Sequence, residues 1–90
     1  MKVIVINEES HGFIGLAKDM ISAFDFLVNE NWVTENDFLL DENDDPIELK
    51  KTMERLNLSL RDTLCHLWYI DENYFDGFLY FEEKEIYGME

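Results

Sequence analysis

The hydrophobic pattern of this chain changes period at Asp19, and that change limits the possible folds more than any other feature. Before it, the β-branched run Lys2–Ile6 and the apolar run Phe13–Ala17 have strand character and flank the polar turn Asn7–Gly12. We expect an antiparallel hairpin with a long loop, with the first strand covered on both faces. Gly15 predicts a bulge or a close approach by another element.

After Asp19 apolar residues recur at the 3.6-residue spacing of an amphipathic helix, which should end near Asn29–Asn31. Its apolar residues are Met20, Ile21, Phe24, Leu27 and Val28. The apolar island Phe38–Leu40 fits either a helical turn or a short strand.

Two further helices are predicted from their start signals. Asp45 can cap a helix that has Pro46 at its first position and Leu49, Met53 and Leu56 as its buried stripe. Ser59 can cap another, which runs to about Tyr69. In that helix we expect Leu60, Leu64, Leu67 and Trp68 to be buried against the sheet, and His66 to face solvent.

The C-terminal part is rich in aromatic residues. Asp76-Gly77 is a hairpin-type turn signal, and Phe78–Tyr87 reads as a strand that pairs with the N-terminal hairpin. These elements predict an α+β fold with a small antiparallel or mixed sheet packed against three helices. At 90 residues the chain forms a single domain, residues 1–90.

The charge is strongly negative: 21 Asp and Glu against 7 Lys and Arg, a net charge of −14. Such a surface is repelled by nucleic acid and by anionic membranes, which disfavours both as direct partners and favours a basic protein. From Asp19 to Leu49 there are ten acidic residues and no Lys or Arg. Four of the bases lie together on the middle helices: Lys50, Lys51, Arg55 and Arg61.

Averaged over the surface, this charge is too dilute to imitate duplex DNA. A chain of this mass exposes about 5,500 Å², or roughly one net charge per 400 Å², against about one per 110 Å² on a duplex. Only a clustered patch can match it. The predicted partner-binding patch is Glu30, Glu35, Asp37, Asp41, Glu42, Asp44 and Asp45, with a second edge at Asp71, Glu72 and Asp76.

Catalysis and metal binding are not expected. The neighbours Cys65 and His66 point about 100° apart on a helix, and no common catalytic motif is present. An EF-hand loop that starts at Asp41 would have Pro46 in place of the required glycine and Thr52 in place of the bidentate glutamate. The sequence therefore predicts a non-enzyme without a cofactor or a bound metal ion.

Cysteine content and the N-terminus predict a cytoplasmic protein. Cys65 is the only cysteine, so an intramolecular disulfide is impossible and a reducing compartment is expected. The apolar run at the N-terminus is too short for a signal peptide or a membrane span.

The opening residues, MKVIVINEESHGFIGLAKDMISAFDFLVNENW, resemble small acidic phage-encoded proteins of Gram-positive hosts. Some proteins of that class are anti-CRISPR or anti-restriction inhibitors. The resemblance implies that the partner is a host defence nuclease whose basic DNA-binding groove is blocked by carboxylates. Because such inhibitors share no sequence pattern, it assigns no residues.

Two functions follow as hypotheses. The first is a DNA-mimic inhibitor that binds a basic, nucleic-acid-binding nuclease through the acidic patch. The second is a small adaptor or regulatory subunit, or a homodimer, that assembles through the edge of the aromatic strand Phe78–Tyr87.

Overall fold

The computed structural model describes residues 1–86 and confirms the α+β fold. The elements in chain order are β1 (Lys2–Glu8), β2 (Gly12–Ala17), α1 (Met20–Asn29), β3 (Phe38–Leu40), β4 (Pro46–Glu48), α2 (Leu49–Leu56), α3 (Leu60–Ile70), a 3-10 helix (Glu72–Phe75) and β5 (Leu79–Glu85). The main sheet is antiparallel with the order β2-β1-β5, so the N-terminal hairpin and the C-terminal strand pair as predicted. β3 and β4 form a separate two-stranded sheet.

The two faces of β1 have different environments. Ile4 and Ile6 are buried, whereas Val3 and Val5 on the opposite face are only half-buried. The prediction that this strand is covered on both faces is wrong, because no layer of residues 1–86 encloses the second face. The loop to β2 is also shorter than predicted, since both strands extend into it and leave only residues 9–11 between them.

The core contains an aromatic cluster, formed by Phe24, Trp68, Phe75 and Phe81. The Phe24 ring centroid lies 5.4 Å from those of Phe75 and Phe81, and Trp68 meets Phe81 edge-on at 5.0 Å. Edge-to-face pairs such as Phe24–Phe81 and Trp68–Phe81 each contribute about 0.5–1.5 kcal/mol beyond their buried area. The cluster joins α1, α3, the 3-10 helix and β5, so core packing accounts for part of the aromatic C-terminus.

α3 confirms the predicted cap and register. The Ser59 hydroxyl accepts a hydrogen bond from the Asp62 N–H at 3.1 Å, Leu64 and Leu67 are buried, and His66 is exposed. Leu60 and Trp68 are half-buried rather than buried. α3 packs on α1, on α2 and on the 3-10 helix, and its Trp68 ring contacts Phe81 of the main sheet.

The predicted helix start at residues 45–48 is wrong. Pro46–Glu48 is strand β4, whose Ile47 pairs with the buried Leu39 of β3, and α2 begins only at Leu49. The Asp45 side chain makes no capping bond in the described part of the chain; instead its backbone N–H donates to the Asp41 carboxylate. The apolar island at 38–40 is therefore a strand. Its pairing with Pro46–Glu48 buries Leu39, which would lack this partner strand if residues 45–48 began a helix.

Asp76-Gly77 is a turn, as predicted, but it does not join two strands. Gly77 has φ +81°, and the Phe78 N–H donates to the Phe75 carbonyl at 3.1 Å, which closes a turn between the 3-10 helix and β5. The predicted strand end at Tyr87 lies outside the described residues. Among residues 1–86, no helix has the length and apolar character needed to cross a membrane.

Candidate protein-binding surface

The predicted partner-binding carboxylates divide into two groups by exposure. Three are half-buried: Asp37, Asp41 and Asp71. Seven are exposed: Glu30, Glu35, Glu42, Asp44, Asp45, Glu72 and Asp76. The first group is engaged in the structure of the chain itself, so the exposed group contains the stronger candidates for contact with a partner.

Each half-buried carboxylate accepts hydrogen bonds from nearby backbone N–H groups. Asp37 accepts from Thr34 at 2.7 Å, and Asp71 accepts from Asn73 at 3.0 Å, at the start of the 3-10 helix. Asp41 accepts from both Asn43 and Asp45 at 2.9 Å and thereby shapes the loop between β3 and β4. These side chains hold turns, which is why Asp recurs at these positions.

The fold brings the β3–β4 hairpin into contact with the 3-10 helix. β3 packs directly against the 3-10 helix, and Leu39 and Phe75 belong to the same buried core. The hairpin whose loop carries Glu42, Asp44 and Asp45 therefore contacts the 3-10 helix, which carries Glu72 and precedes Asp76, although about 30 residues separate the two segments in the chain. We call Glu42, Asp44, Asp45, Glu72 and Asp76 the acidic surface.

Glu30 and Glu35 precede β3 in the chain and do not belong to the acidic surface. Glu30 follows α1 at its C-terminal end, close to Trp32, whose ring centroid lies 5.0 Å from that of His11. The segment that follows α1 and carries Glu30 is thus linked through Trp32 to the β1–β2 turn.

A cleft of about 140 Å³ opens at the free edge of β5. Its lining residues are Trp68, Glu72, Asn73, Asp76, Leu79, Tyr80 and Phe81. Two carboxylates of the acidic surface, Glu72 and Asp76, thus share a concave site with aromatic side chains. Among residues 1–86, no Lys, Arg or His lines the cleft.

Glu9 forms a hydrogen bond with one residue of this lining, Tyr80, although the sequence does not point to Glu9. The Tyr80 hydroxyl donates to the Glu9 carboxylate at 2.5 Å, and the Glu9 N–H donates to the Phe78 carbonyl at 3.0 Å. The hydrogen bond to Glu9 raises the pKa of Tyr80, and burial and the charges of Glu9 and Asp76 raise it further. No signal within the sequence relates Glu9 to Tyr80, because the contact depends on the antiparallel pairing of β1 with β5.

The three lysines next to or within the strands of the main sheet lie at the end opposite the cleft. Lys2 begins β1, Lys18 follows β2, and Lys84 is near the end of β5; the strand register puts all three at one end of the sheet. Glu9 and Tyr80 lie towards the other end. Arg61 lies 3.6 Å from Asp25 and 3.2 Å from Asp62, so its charge is partly compensated locally.

The candidates for catalysis do not show an activated nucleophile. The His11 ring bonds to Glu8 at 2.8 Å, and burial raises the pKa of the Cys65 thiol, which disfavours the reactive thiolate. Among residues 1–86, no cluster of three or more His, Cys, Asp or Glu side chains has the geometry to hold a metal ion.

Comparison of the chain with family models, curated proteins and solved structures gives no match.

Proposed function

We propose that this protein is a non-catalytic inhibitor that binds the basic, nucleic-acid-binding face of another protein, of the kind found in a defence nuclease. The observation that supports this most directly is the acidic surface: its carboxylates are all exposed, and the β3–β4 hairpin that carries three of them contacts the 3-10 helix through β3. The lysines of the sheet are at its far end. A basic groove that binds phosphates would be attracted to the acidic surface and repelled by the end of the sheet that carries the lysines.

The arrangement suits competition with nucleic acid. Exposed carboxylates on a folded scaffold present anionic oxygens to the same Lys and Arg side chains that bind DNA phosphates. The resemblance of the N-terminal third to small phage proteins agrees with such a role. The partner is then a cytoplasmic, basic protein, and the inhibitor itself binds no DNA, RNA or lipid.

The test uses immobilised protein and a lysate of the host cell. A partner bound through its nucleic-acid site should be released by added duplex DNA and by moderate salt, because both compete with the carboxylates. The variant E42Q/E72Q/D76N should lose the captured partner. Its matched control, E82Q/E83Q/E85Q, removes the same charge from β5 beyond the cleft and should retain the partner. Capture that is insensitive to DNA, to salt and to the first variant would refute the proposal.

A second candidate function is an adaptor that assembles through β5, because β5 is an edge strand of the sheet. Its sequence, LYFEEKE, contains three glutamates. Charges on an edge strand oppose pairing with a second copy, so a homodimer at this edge is less favourable than pairing with a basic strand. On this hypothesis, E42Q/E72Q/D76N would still capture the partner.

Truncation after Gly77 is not a clean test of that second candidate. β5 pairs with β1 along its full length, and its Leu79 is buried in the core. Removing the strand would unfold the sheet and abolish binding on either hypothesis. The side-chain variants are the better test, because the residues they change are exposed.

A further inference from the structure

The cleft at the edge of β5 combines aromatic walls with two carboxylates that form no ion pair within residues 1–86. Within residues 1–86, Glu72 and Asp76 form no ion pair with a basic side chain. Asp71 next to them differs, since its carboxylate accepts the Asn73 N–H at 3.0 Å. Two exposed negative charges therefore border a concave site, and in the described part of the chain no basic side chain lines that site to balance them.

The aromatic walls are held in place by the core. The Trp68 ring lies edge-on to Phe81 at 5.0 Å and to Phe75 at 5.6 Å. Tyr80, which is 44% exposed, is held by its hydrogen bond to Glu9. A ligand would therefore meet aromatic side chains that are already ordered, and little of their conformational entropy would be lost on binding.

We propose that this cleft is the binding site for one arginine side chain of the partner protein. The inference rests on the proposed function, which it deepens by naming the group that is recognised. A guanidinium group is planar, so it can stack on Trp68 or Tyr80 while its N–H groups donate to Glu72 and Asp76. A volume of about 140 Å³ suits a single side chain. Nucleotides and carboxylate-rich peptides are excluded by charge.

Arginine is favoured over lysine on geometric grounds. The ammonium group of lysine is a compact, strongly hydrated charge, and it has no planar face that could stack on an aromatic ring while its N–H groups donate to carboxylates. Arginine is also enriched at the centres of protein interfaces, where it inserts into pockets bordered by aromatic residues. The partner segment would thus use arginine as its anchor.

The experiment titrates the isolated full chain with three peptides that differ in one side chain: acetyl-Gly-Arg-Gly-amide and its lysine and citrulline analogues. Citrulline has the shape of arginine without its charge. Binding is followed by NMR through the indole N–H signal of Trp68, with Trp32 as the internal reference. We expect the arginine peptide to shift the Trp68 signal with an affinity several-fold above that of lysine and at least tenfold above that of citrulline.

Matched variants distinguish specific binding in the cleft from general attraction to the negative charge of the protein. E72Q and D76N should each weaken arginine binding several-fold, whereas E42Q, with the same change of charge in the hairpin loop, should leave it nearly unchanged. Equal affinity for arginine and citrulline, or an equal loss in E42Q and D76N, would overturn the site. All three residues are exposed, so these variants should fold.

The two proposals can fail separately. Arginine binding in the cleft together with partner capture that ignores DNA would contradict the inhibitor function and leave the site intact. DNA-sensitive capture that survives D76N, with no preference for the arginine peptide, would contradict the site and leave the inhibitor function intact.

Discussion

The Phe26 ring lies against the backbone of Gly15, so that a Cβ atom added to Gly15 would stand 2.9 Å from Phe26 Cζ. Gly12 and Gly77 have a positive φ, but Gly15 does not. Glycine is therefore needed at position 15 to leave room for the Phe26 ring, and not to allow an unusual backbone conformation. The contact docks α1 on β2 next to the β-bulge between Ile6 and Asn7 of the paired strand.

Replacing Gly15 with Ala should destabilise the protein by about 1 kcal/mol, because the ring must move to relieve the overlap. In a Phe26→Leu background the same substitution should cost much less. Urea unfolding of the four proteins of this double-mutant cycle measures the coupling. Additive effects of the two substitutions would contradict the proposed contact.

Thr63 is fully buried, and its hydroxyl has no hydrogen-bond partner among the described residues. Thr63→Val keeps the shape and removes the unpaired group, so it should raise the free energy of unfolding by about 1 kcal/mol. Thr52 is the matched control, since it is also buried but its Oγ1 donates to the Glu48 carbonyl at 2.9 Å. Thr52→Val should be neutral or destabilising. Equal effects of the two substitutions in urea unfolding would show that the Thr63 hydroxyl is satisfied.

Ser59→Ala should cost about 1 kcal/mol, because the Ser59 hydroxyl satisfies the Asp62 N–H in the first turn of α3. Ser59→Asp should restore most of that loss, since Asp is an equally good cap. Thermal unfolding followed by far-ultraviolet circular dichroism measures both. A larger loss in the aspartate variant than in the alanine variant would argue against capping.

Asp41→Ala should destabilise the protein by about 1 kcal/mol, because it removes both hydrogen bonds that shape the β3–β4 loop. Glu42→Ala changes the net charge equally but removes an exposed side chain, and we expect little change in stability. Chemical denaturation of the two variants makes the comparison. Equal stability would mean that Asp41 is available for a partner like its exposed neighbours.

Tyr80 should ionise at a pH above the ordinary tyrosine range, because its hydrogen bond to Glu9 raises its pKa. A pKa raised on folding contributes stability that is complete below the unfolded pKa and is lost as the pH rises through the folded one. Glu9→Gln should lower the pKa of Tyr80, since it removes the charge but keeps an acceptor. Tyrosinate absorbance, with Tyr80→Phe to assign the signal, measures it. An unchanged titration in Glu9→Gln would contradict the contact.

Local signals in the sequence were sufficient where one short segment decides the structure. The Ser59 cap with apolar residues at helical spacing predicted α3 and the exposure of His66, and the β-branched run predicted β1. The same holds for the α+β class, because strand-like and helical periods occupy separate parts of the chain. The sequence also indicated that another element could approach closely at Gly15. It did not indicate that this neighbour is Phe26.

Only the tertiary structure decided which competing local signal prevails and which distant residues meet. Asp45-Pro46 has the features of a helix start, yet pairing of Ile47 with Leu39 buries an apolar residue in a hairpin, and burial outweighs a cap. Likewise, the number of acidic residues follows from the sequence alone. The contact of Glu9 with Tyr80, and the position of Glu72 and Asp76 beside an aromatic cleft, do not. Those relationships follow from strand register and helix packing, which depend on contacts between residues far apart in the chain.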